Sequence, residues 1–198
     1  MKLPLYQLDA FADQVFGGNP AAVVPLKEWL PVETMQSIAL ENNLSETAFL
    51  VSRGHGAYNL RWFTPAMEVD LCGHATLASA WVVLHRLQPE RTEVVFHSRS
   101  GPLTVKRRGE LLEMDFPSQP GAPLDDDAAH AAALGGTPHA VLRSVNYDMA
   151  VFDTAAEVRE LQPDAHALLA IETLGVIATA PGDAADAVDF VSLSLIHI

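Results

Sequence analysis

Three side chains and one stretch of backbone in the first half of this chain could together move a proton. They are the Glu46 carboxylate, the Cys72 thiol, the His74 imidazole and the backbone N–H groups at Gly73-His74. Gly73 and His74 stand just ahead of a helical apolar pattern, in which Leu77, Trp81 and Leu84 fall at i, i+4 and i+7. The start of a helix presents unpaired N–H groups and a partial positive charge, which suit a carboxylate or other anion. Glu46 stands at the head of an apolar strand, where partial burial would raise its pKa by desolvation and prepare it for general acid/base work. The same residues also fit plainer roles. Gly73 suits the tight start of a core helix, and Glu46 suits a solvated strand end.

The sequence narrows the remaining chemistry. Its eight histidines never fall within four residues of one another, and no Cys/His cluster occurs, so no metal site is expected. Gly54-His55-Gly56 lacks the third glycine and following helix of a dinucleotide loop, and neither a P-loop nor a Gly-x-Ser-x-Gly elbow is present. What is left suits cofactor-free proton transfer beside a substrate carboxylate better than group transfer. The formal charge of −13 argues against nucleic acid and anionic membranes as partners, so an anionic substrate must be held by local donors. A single cysteine excludes an internal disulfide and Met1-Lys2-Leu3-Pro4 shows no signal-peptide pattern, so a cytoplasmic setting is expected. With 198 residues, 49% hydrophobic and 19% charged, the chain can form one large or two small soluble domains.

The elements that must position these groups centre on the run from Glu68 to Leu87. No formally charged residue lies between Leu71 and His85, so a helix buried on every side is expected, too short for the roughly 20 residues that cross a membrane. Leu3 to Phe11 reads as a strand, Gly17-Gly18-Asn19-Pro20 as a turn, and Ala21 to Val24 as a second strand. Pro31 suits the first position of a helix carrying Met35, Ile38, Ala39 and Asn42 on one face, with a stop at Asn42-Asn43. Leu44 to Val51 is apolar on both faces, the mark of a strand covered on both sides, and Glu46 shares the Ala48/Leu50 face. Asn59–Phe63 is a further strand, and Glu93–His97, Leu103–Arg107 and Leu111–Phe116 form an antiparallel run. The prolines between 117 and 123 mark a boundary. Beyond it, Asp125-Asp126-Asp127 opens an alanine-rich helix that Gly135-Gly136 closes, and Thr154 with Glu157 makes a capping box. Ala140–Val145, Met149–Phe152, Val176–Ala180 and Val188–Val191 read as strands. The expected division is a first domain over residues 1–117, a linker over 118–123 and a partial second domain over 124–198 without a counterpart of the long buried helix.

Four segments occur in order: Gly18-Asn19-Pro20-Ala21-Ala22-Val23-Val24, Asn43-Leu44-Ser45-Glu46-Thr47-Ala48-Phe49, Arg61-Trp62-Phe63-Thr64-Pro65 and Leu71-Cys72-Gly73-His74-Ala75-Thr76. Together they closely resemble the phenazine-biosynthesis isomerase (PhzF-like) family, and the likeness extends more loosely to about Ser192. The resemblance implies an α+β fold of the diaminopimelate-epimerase type, with two pseudo-repeated domains, each a curved mixed sheet wrapped around a central buried helix, and a cleft between them. It implies a cofactor-independent isomerase, typically a homodimer, acting on a small carboxylate-bearing substrate. In the best-known member that substrate is a dihydro-hydroxyanthranilate. Carried over by position, Glu46 matches the proton-shuttling glutamate, Gly73 and His74 the helix-mouth pair that contacts substrate, and Asn19 and Ser45 motif residues near that site. Cys72 matches the catalytic cysteine of related epimerases and proline racemases. Those enzymes use a second base, normally a second cysteine, which this chain lacks.

The departure from the family pattern comes after Ser192, where the family continues into the second domain's own helix mouth. Here Leu193 to Ile198 matches nothing in that pattern and is expected to be an atypical tail, from truncation or an assembly artefact. Two rival expectations therefore stand beside an isomerase: a catalytically silent fragment or small-molecule-binding protein, and a Cys72-dependent epimerase.

Overall fold

The computed structural model describes residues 2–14, 16–116, 118–125, 127–183 and 188–196, with Ile196 described by its backbone alone. The expectations that fall on Pro117, Asp126, His197 and Ile198 lie outside the described residues. The chain divides into two compact units, Met1–Phe116 and Pro117–Ile198.

In the first unit β1 (Tyr6–Ala10) pairs antiparallel with β2 (Asn19–Leu26), and α1 (Val32–Asn42) leads to β3 (Glu46–Gly54), which runs parallel to β2. β1 is shorter than the apolar run from Leu3 to Phe11 predicts: it begins only at Tyr6, and at its far end Phe11 turns to φ 60° and ends the pairing. Gly18 is dictated by space, since a Cβ there would strike the Ala10 carbonyl and keep the turn from closing on β1. β4 (Ala57–Phe63) returns antiparallel to β3, and the two-residue β5 (Glu68–Val69) pairs with β4. Next come α2 (Gly73–Val82), a π-helical turn over Val83–Leu87, and the strands β6 (Glu93–Ser98), β7 (Gly101–Arg108) and β8 (Leu111–Met114). The sheet order is β1-β2-β3-β4-β6-β7-β8, and α2 touches β1, β2, β3 and β8. One helix thus meets strands from both ends of that order, which requires the sheet to curl around it.

α2 is what an uncharged run of small residues becomes when it is enclosed. Ala75, Ala78, Ala80 and Val82 are buried in one cluster with Leu60, Trp62, Phe96 and Leu103, and burying a large apolar side chain contributes about 1.5–3 kcal/mol. Thr76 and Ser79 are buried too, and their hydroxyls donate one turn back to the carbonyls of Cys72 (2.5 Å) and Ala75 (2.7 Å). No polar group of those side chains is left unsatisfied inside the core. After Val82 the helix widens, and the Gln88 N–H donates to the Val83 carbonyl at 2.7 Å in the i→i+5 pattern of a π turn. On the other face of the sheet, Met35 and Ala39 of α1 cluster with Phe49 and Phe63, whose rings meet edge to face at 5.6 Å. β3 is covered on both sides, as its apolar run predicts.

The second unit contains β9 (Ala122–Pro123), α3 (Ala128–Leu134), β10 (Ala140–Arg143), β11 (Tyr147–Val151), α4 (Ala155–Glu160), α5 (Ala165–Leu169), β12 (Gly175–Pro181) and β13 (Phe190–Ile196). Its sheet runs β13-β12-β11-β10-β9, with β11 and β12 parallel and the other pairs antiparallel. Leu134, Val141, Phe152 and Val176 are central to its core. The residues set apart as an atypical tail are part of this sheet as far as 196: Leu193 pairs with Ala178 and Leu195 with Val176. The reason is visible in the alternation of Val191, Leu193 and Leu195, which pack on the core, with Ser192 and Ser194. α5, absent from the sequence reading, starts where the Asp164 carboxylate accepts from the backbone N–H of His166 at 2.8 Å and Ala167 at 3.2 Å. The Thr154–Glu157 capping box is formed at the start of α4, and Gly135 closes α3 at φ 74°. Between α3, β10 and β11, buried Asp148 and His130 meet the exposed Arg143. Asp148, fully buried, accepts from His130 Nε2 at 2.9 Å and from Arg143 Nε and Nη2 at 2.9 and 2.7 Å. Among the described residues no helix of this unit exceeds the seven residues of α3, and no helix of the chain is long and apolar enough to cross a membrane.

Candidate functional site

Glu46 is the first residue of β3, opposite Ala21 in the parallel register with β2, and is 6% exposed. Cys72 is the residue that precedes α2 in extended conformation, and His74 lies in the helix's first turn; both are buried. Parallel pairing sets the head of β3 beside β2, and the curl of the sheet sets that face against α2. The consequence is a tight cluster. His74 Nε2 lies 3.2 Å from Glu46 Oε2, and His74 Nδ1 lies 3.4 Å from Cys72 Sγ. One ligating atom from each of Glu46, Cys72 and His74 falls within 4.8 Å of the others. Cys72 and His74 are two residues apart in the chain; what the fold adds is the Glu46 carboxylate from β3.

The close approach of His74 Nε2 to Glu46 Oε2 is not a hydrogen bond. The two atoms are near enough for an ion pair, but neither meets the geometry of a hydrogen bond. The electrostatics explain why no ion pair need form. Burial raises the Glu46 carboxyl above its ordinary pKa, and the Cys72 thiol donating toward it pulls partly the other way. Burial lowers the His74 imidazole, with the Pro20 carbonyl opposing. Both groups are pushed toward their neutral forms. For Cys72, burial comes first and the neighbouring Glu46 charge second, and together they raise the thiol well beyond its ordinary range. The backbone N–H groups of Ala75 and His74 point at the sulfur and act in the opposite direction, but are outweighed. Two of the N–H groups at the mouth of α2 are therefore directed at a side chain of the protein itself.

Gly73 opens α2, and a Cβ at this position would meet Phe116 Cζ at 3.3 Å and Cε2 at 3.5 Å. Phe116 is 39% exposed, so one face of its ring borders the helix mouth and another faces solvent. The sequence reading does not single Phe116 out as a site residue; the alternation of Leu112, Met114 and Phe116 carries the only signal for it. Asn19 and Ser45 do not join the buried cluster. Both are exposed, at the heads of the two parallel strands, and the Ser45 hydroxyl donates to Asn19 Oδ1 at 3.3 Å. Ser45 adjoins Glu46 in the chain, so the pair lies at the rim of the cluster. The structure thus brings Glu46, Cys72 and His74 together, sets Gly73 beneath Phe116, and pairs Asn19 with Ser45. As chemistry, this is a buried carboxyl, a neutral imidazole and a protonated thiol, each able to hold or pass a proton.

Comparison with known proteins adds a lineage to this geometry. A family model described as phenazine biosynthesis-like protein matches residues 8–194. A Pseudomonas aeruginosa protein named as an uncharacterized isomerase is 49% identical over 180 residues, which are 91% of this chain and 69% of that protein. A Halalkalibacterium halodurans protein, also named as an uncharacterized isomerase, is 43% identical over 195 residues, or 97% of this chain and 72% of the relative. The crystal structure of a phenazine biosynthesis PhzF family protein from Enterococcus faecalis matches with a TM-score of 0.89 at 44% identity, over 99% of this chain and 74% of that one. A probable proline racemase from Agrobacterium radiobacter, 11% identical with a TM-score of 0.58, shares the fold alone.

Proposed function

This chain belongs to the phenazine biosynthesis-like protein family, and on that premise we propose that it is an isomerase that moves a proton within a small carboxylate-bearing substrate, with Glu46 as acid and base. The observation that carries this reading is the buried Glu46 carboxyl, 3.2 Å from a His74 nitrogen to which it makes no hydrogen bond. A carboxyl raised toward neutrality by burial is a stronger base when ionised and a ready acid once protonated. Glu46 takes a proton from one substrate carbon as the neighbouring double bond shifts, then returns it to another carbon, with no change of oxidation state. No cofactor enters this scheme. Gly73 and His74 hold the substrate's anionic group at the head of α2, Asn19 and Ser45 line the rim, and the enzyme works as a homodimer.

The test uses dihydro-hydroxyanthranilate, the substrate class the family likeness brings, in deuterated buffer with exchange and isomerisation followed by NMR. Wild type is expected to exchange one carbon-bound proton as product forms. Glu46→Gln is expected to lose about 10²–10⁴-fold in rate, the usual contribution of a general acid/base. Glu46→Gln turning over at the wild-type rate would remove Glu46 from the mechanism. Cys72 is not favoured as the base, because burial and the Glu46 charge keep its proton on the sulfur.

A further inference from the structure

We propose that Glu46, Cys72 and His74 also form a binding site for a soft divalent cation of the zinc type, which replaces the transferable protons and blocks the site. Four observations support it. The donor set is one carboxylate, one thiol and one imidazole, the ligand types that zinc combines. The spacing is near to that of a coordination sphere. Bonds of about 2.0–2.3 Å at tetrahedral angles set ligand atoms roughly 3.3–3.7 Å apart. Here one ligating atom from each residue falls within 4.8 Å of the others, while the two shortest contacts, 3.2 Å to Glu46 and 3.4 Å to Cys72, engage opposite nitrogens of the His74 ring. Metal binding therefore requires the His74 ring to turn so that one of its nitrogens faces both the sulfur and a carboxylate oxygen. Third, Glu46 Oε2 and His74 Nε2 face each other without a hydrogen bond, on side chains more than nine-tenths buried. Finally, the backbone N–H groups of Ala75 and His74 aimed at Cys72 Sγ would support a metal-bound thiolate, as outer-shell donors do.

Three protein ligands leave a fourth position for water, the layout of an open zinc site and not of a closed structural one. Binding forms the metal–sulfur, metal–oxygen and metal–nitrogen bonds, and the thiol proton, with the carboxyl proton where present, leaves to solvent. The formal charge of −13 favours the approach of a cation. The inhibitory half of this proposal rests on the proton-transfer reading above; the binding half does not.

Cobalt(II) is the probe, titrated into the chain of residues 1–198 and followed by absorbance. One equivalent is expected to produce a near-ultraviolet thiolate-to-cobalt charge-transfer band, which zinc then removes by displacement. Cys72→Ser is expected to abolish the band, and Glu46→Gln to weaken cobalt binding at least about tenfold. Both variants are checked for native circular dichroism, so that lost binding is not mistaken for lost fold. A folded wild-type chain with no charge-transfer band overturns the site, as does equal zinc affinity in wild type, Cys72→Ser and Glu46→Gln. These readouts use no substrate, so they leave the exchange experiment to decide the proton-transfer reading. Zinc bound at this site without slowing isomerisation overturns the inhibitory half.

Discussion

Glu46 Oε2 and His74 Nε2 lie 3.2 Å apart inside the first unit, on side chains 8% and 9% exposed, and do not hydrogen-bond. Two ionisable groups at that distance ordinarily settle into a charged pair. Here burial is the leading influence on both and drives each toward its neutral form. The result is a protonated carboxyl facing a neutral imidazole, and each group contributes its own pH dependence.

Glu46 and His74 act on stability in opposite directions. The folded pKa of Glu46 is raised above its ordinary 4.5, so the protein pays nothing for it at low pH and loses stability as pH rises through the folded value. The folded pKa of His74 is lowered below 6.5, so its contribution is complete above 6.5 and is lost as pH falls through the folded value. Glu46→Gln, which cannot ionise, is therefore expected to gain stability relative to wild type as pH climbs above about 4.5. Urea midpoints of the two proteins across a pH series give the test. A difference that stays constant with pH would contradict the burial of an ionisable carboxyl.

The second unit should behave in the opposite way at acid pH. Asp148 is held below its ordinary 3.8, first by the hydrogen bonds from Arg143 and then by His130. Its contribution is complete above 3.8 and lost as pH falls through the folded value. Asp148→Asn is expected to destabilise this unit by about 1–2 kcal/mol near neutral pH, because the buried amide loses the charge-assisted hydrogen bonds from an Arg143 that is itself 44% exposed. The gap to wild type should shrink as acid protonates Asp148 in the parent, which parallel unfolding curves at neutral and acid pH would show.

Gly73 and Phe116 should be energetically coupled. A methyl group at Gly73 would press on the Phe116 ring at 3.3–3.5 Å and push it by a few tenths of an ångström. Gly73→Ala is expected to weaken substrate binding severalfold, and Phe116→Ala to relieve part of that loss. A double-mutant cycle on KM should yield a coupling of about 0.5–1 kcal/mol. Strict additivity would mean the ring does not bear on the helix mouth.

Thr154→Ala removes both the hydroxyl that accepts from the Glu157 N–H at 3.2 Å and its hydrogen bond to the Glu157 carboxylate at 2.8 Å. The expected cost is about 1 kcal/mol, read as a lower urea midpoint with an unchanged slope. Thr154→Ser should keep most of the cap.

What the sequence made legible was whatever is written locally. The charge-free run around Leu77 and Trp81 identifies α2, the two-faced apolar run at Ala48–Val51 identifies β3, and Thr154 with Glu157 marks a helix start that forms as read. Gly135 ends α3 for the backbone reason a glycine supplies there. What was hidden depends on contacts distant in sequence. The sequence offers Glu46, Cys72 and His74 as candidates but not their contact, which the curl of the sheet makes. Asp148, His130 and Arg143 are likewise unremarkable until β10, β11 and α3 assemble. The pairing of Leu193 to Ile196 with β12 follows from their period-two alternation, a local signal that says nothing about whether these residues follow the family pattern.

The order of elements in the first unit has a consequence for how the site comes into being. Glu46, Cys72 and His74 all lie within the span from the head of β3 to the first turn of α2, joined by one hairpin and the short β5. The separation of these groups along the chain is small compared with the whole unit, so loop closure for their meeting is modest. During synthesis from the N-terminus, every donor atom of the cluster has been made once α2 is complete. The later strands β6, β7 and β8 add walls around a constellation whose members are already present, so substitutions in those strands should change how tightly the groups are caged more than which groups meet.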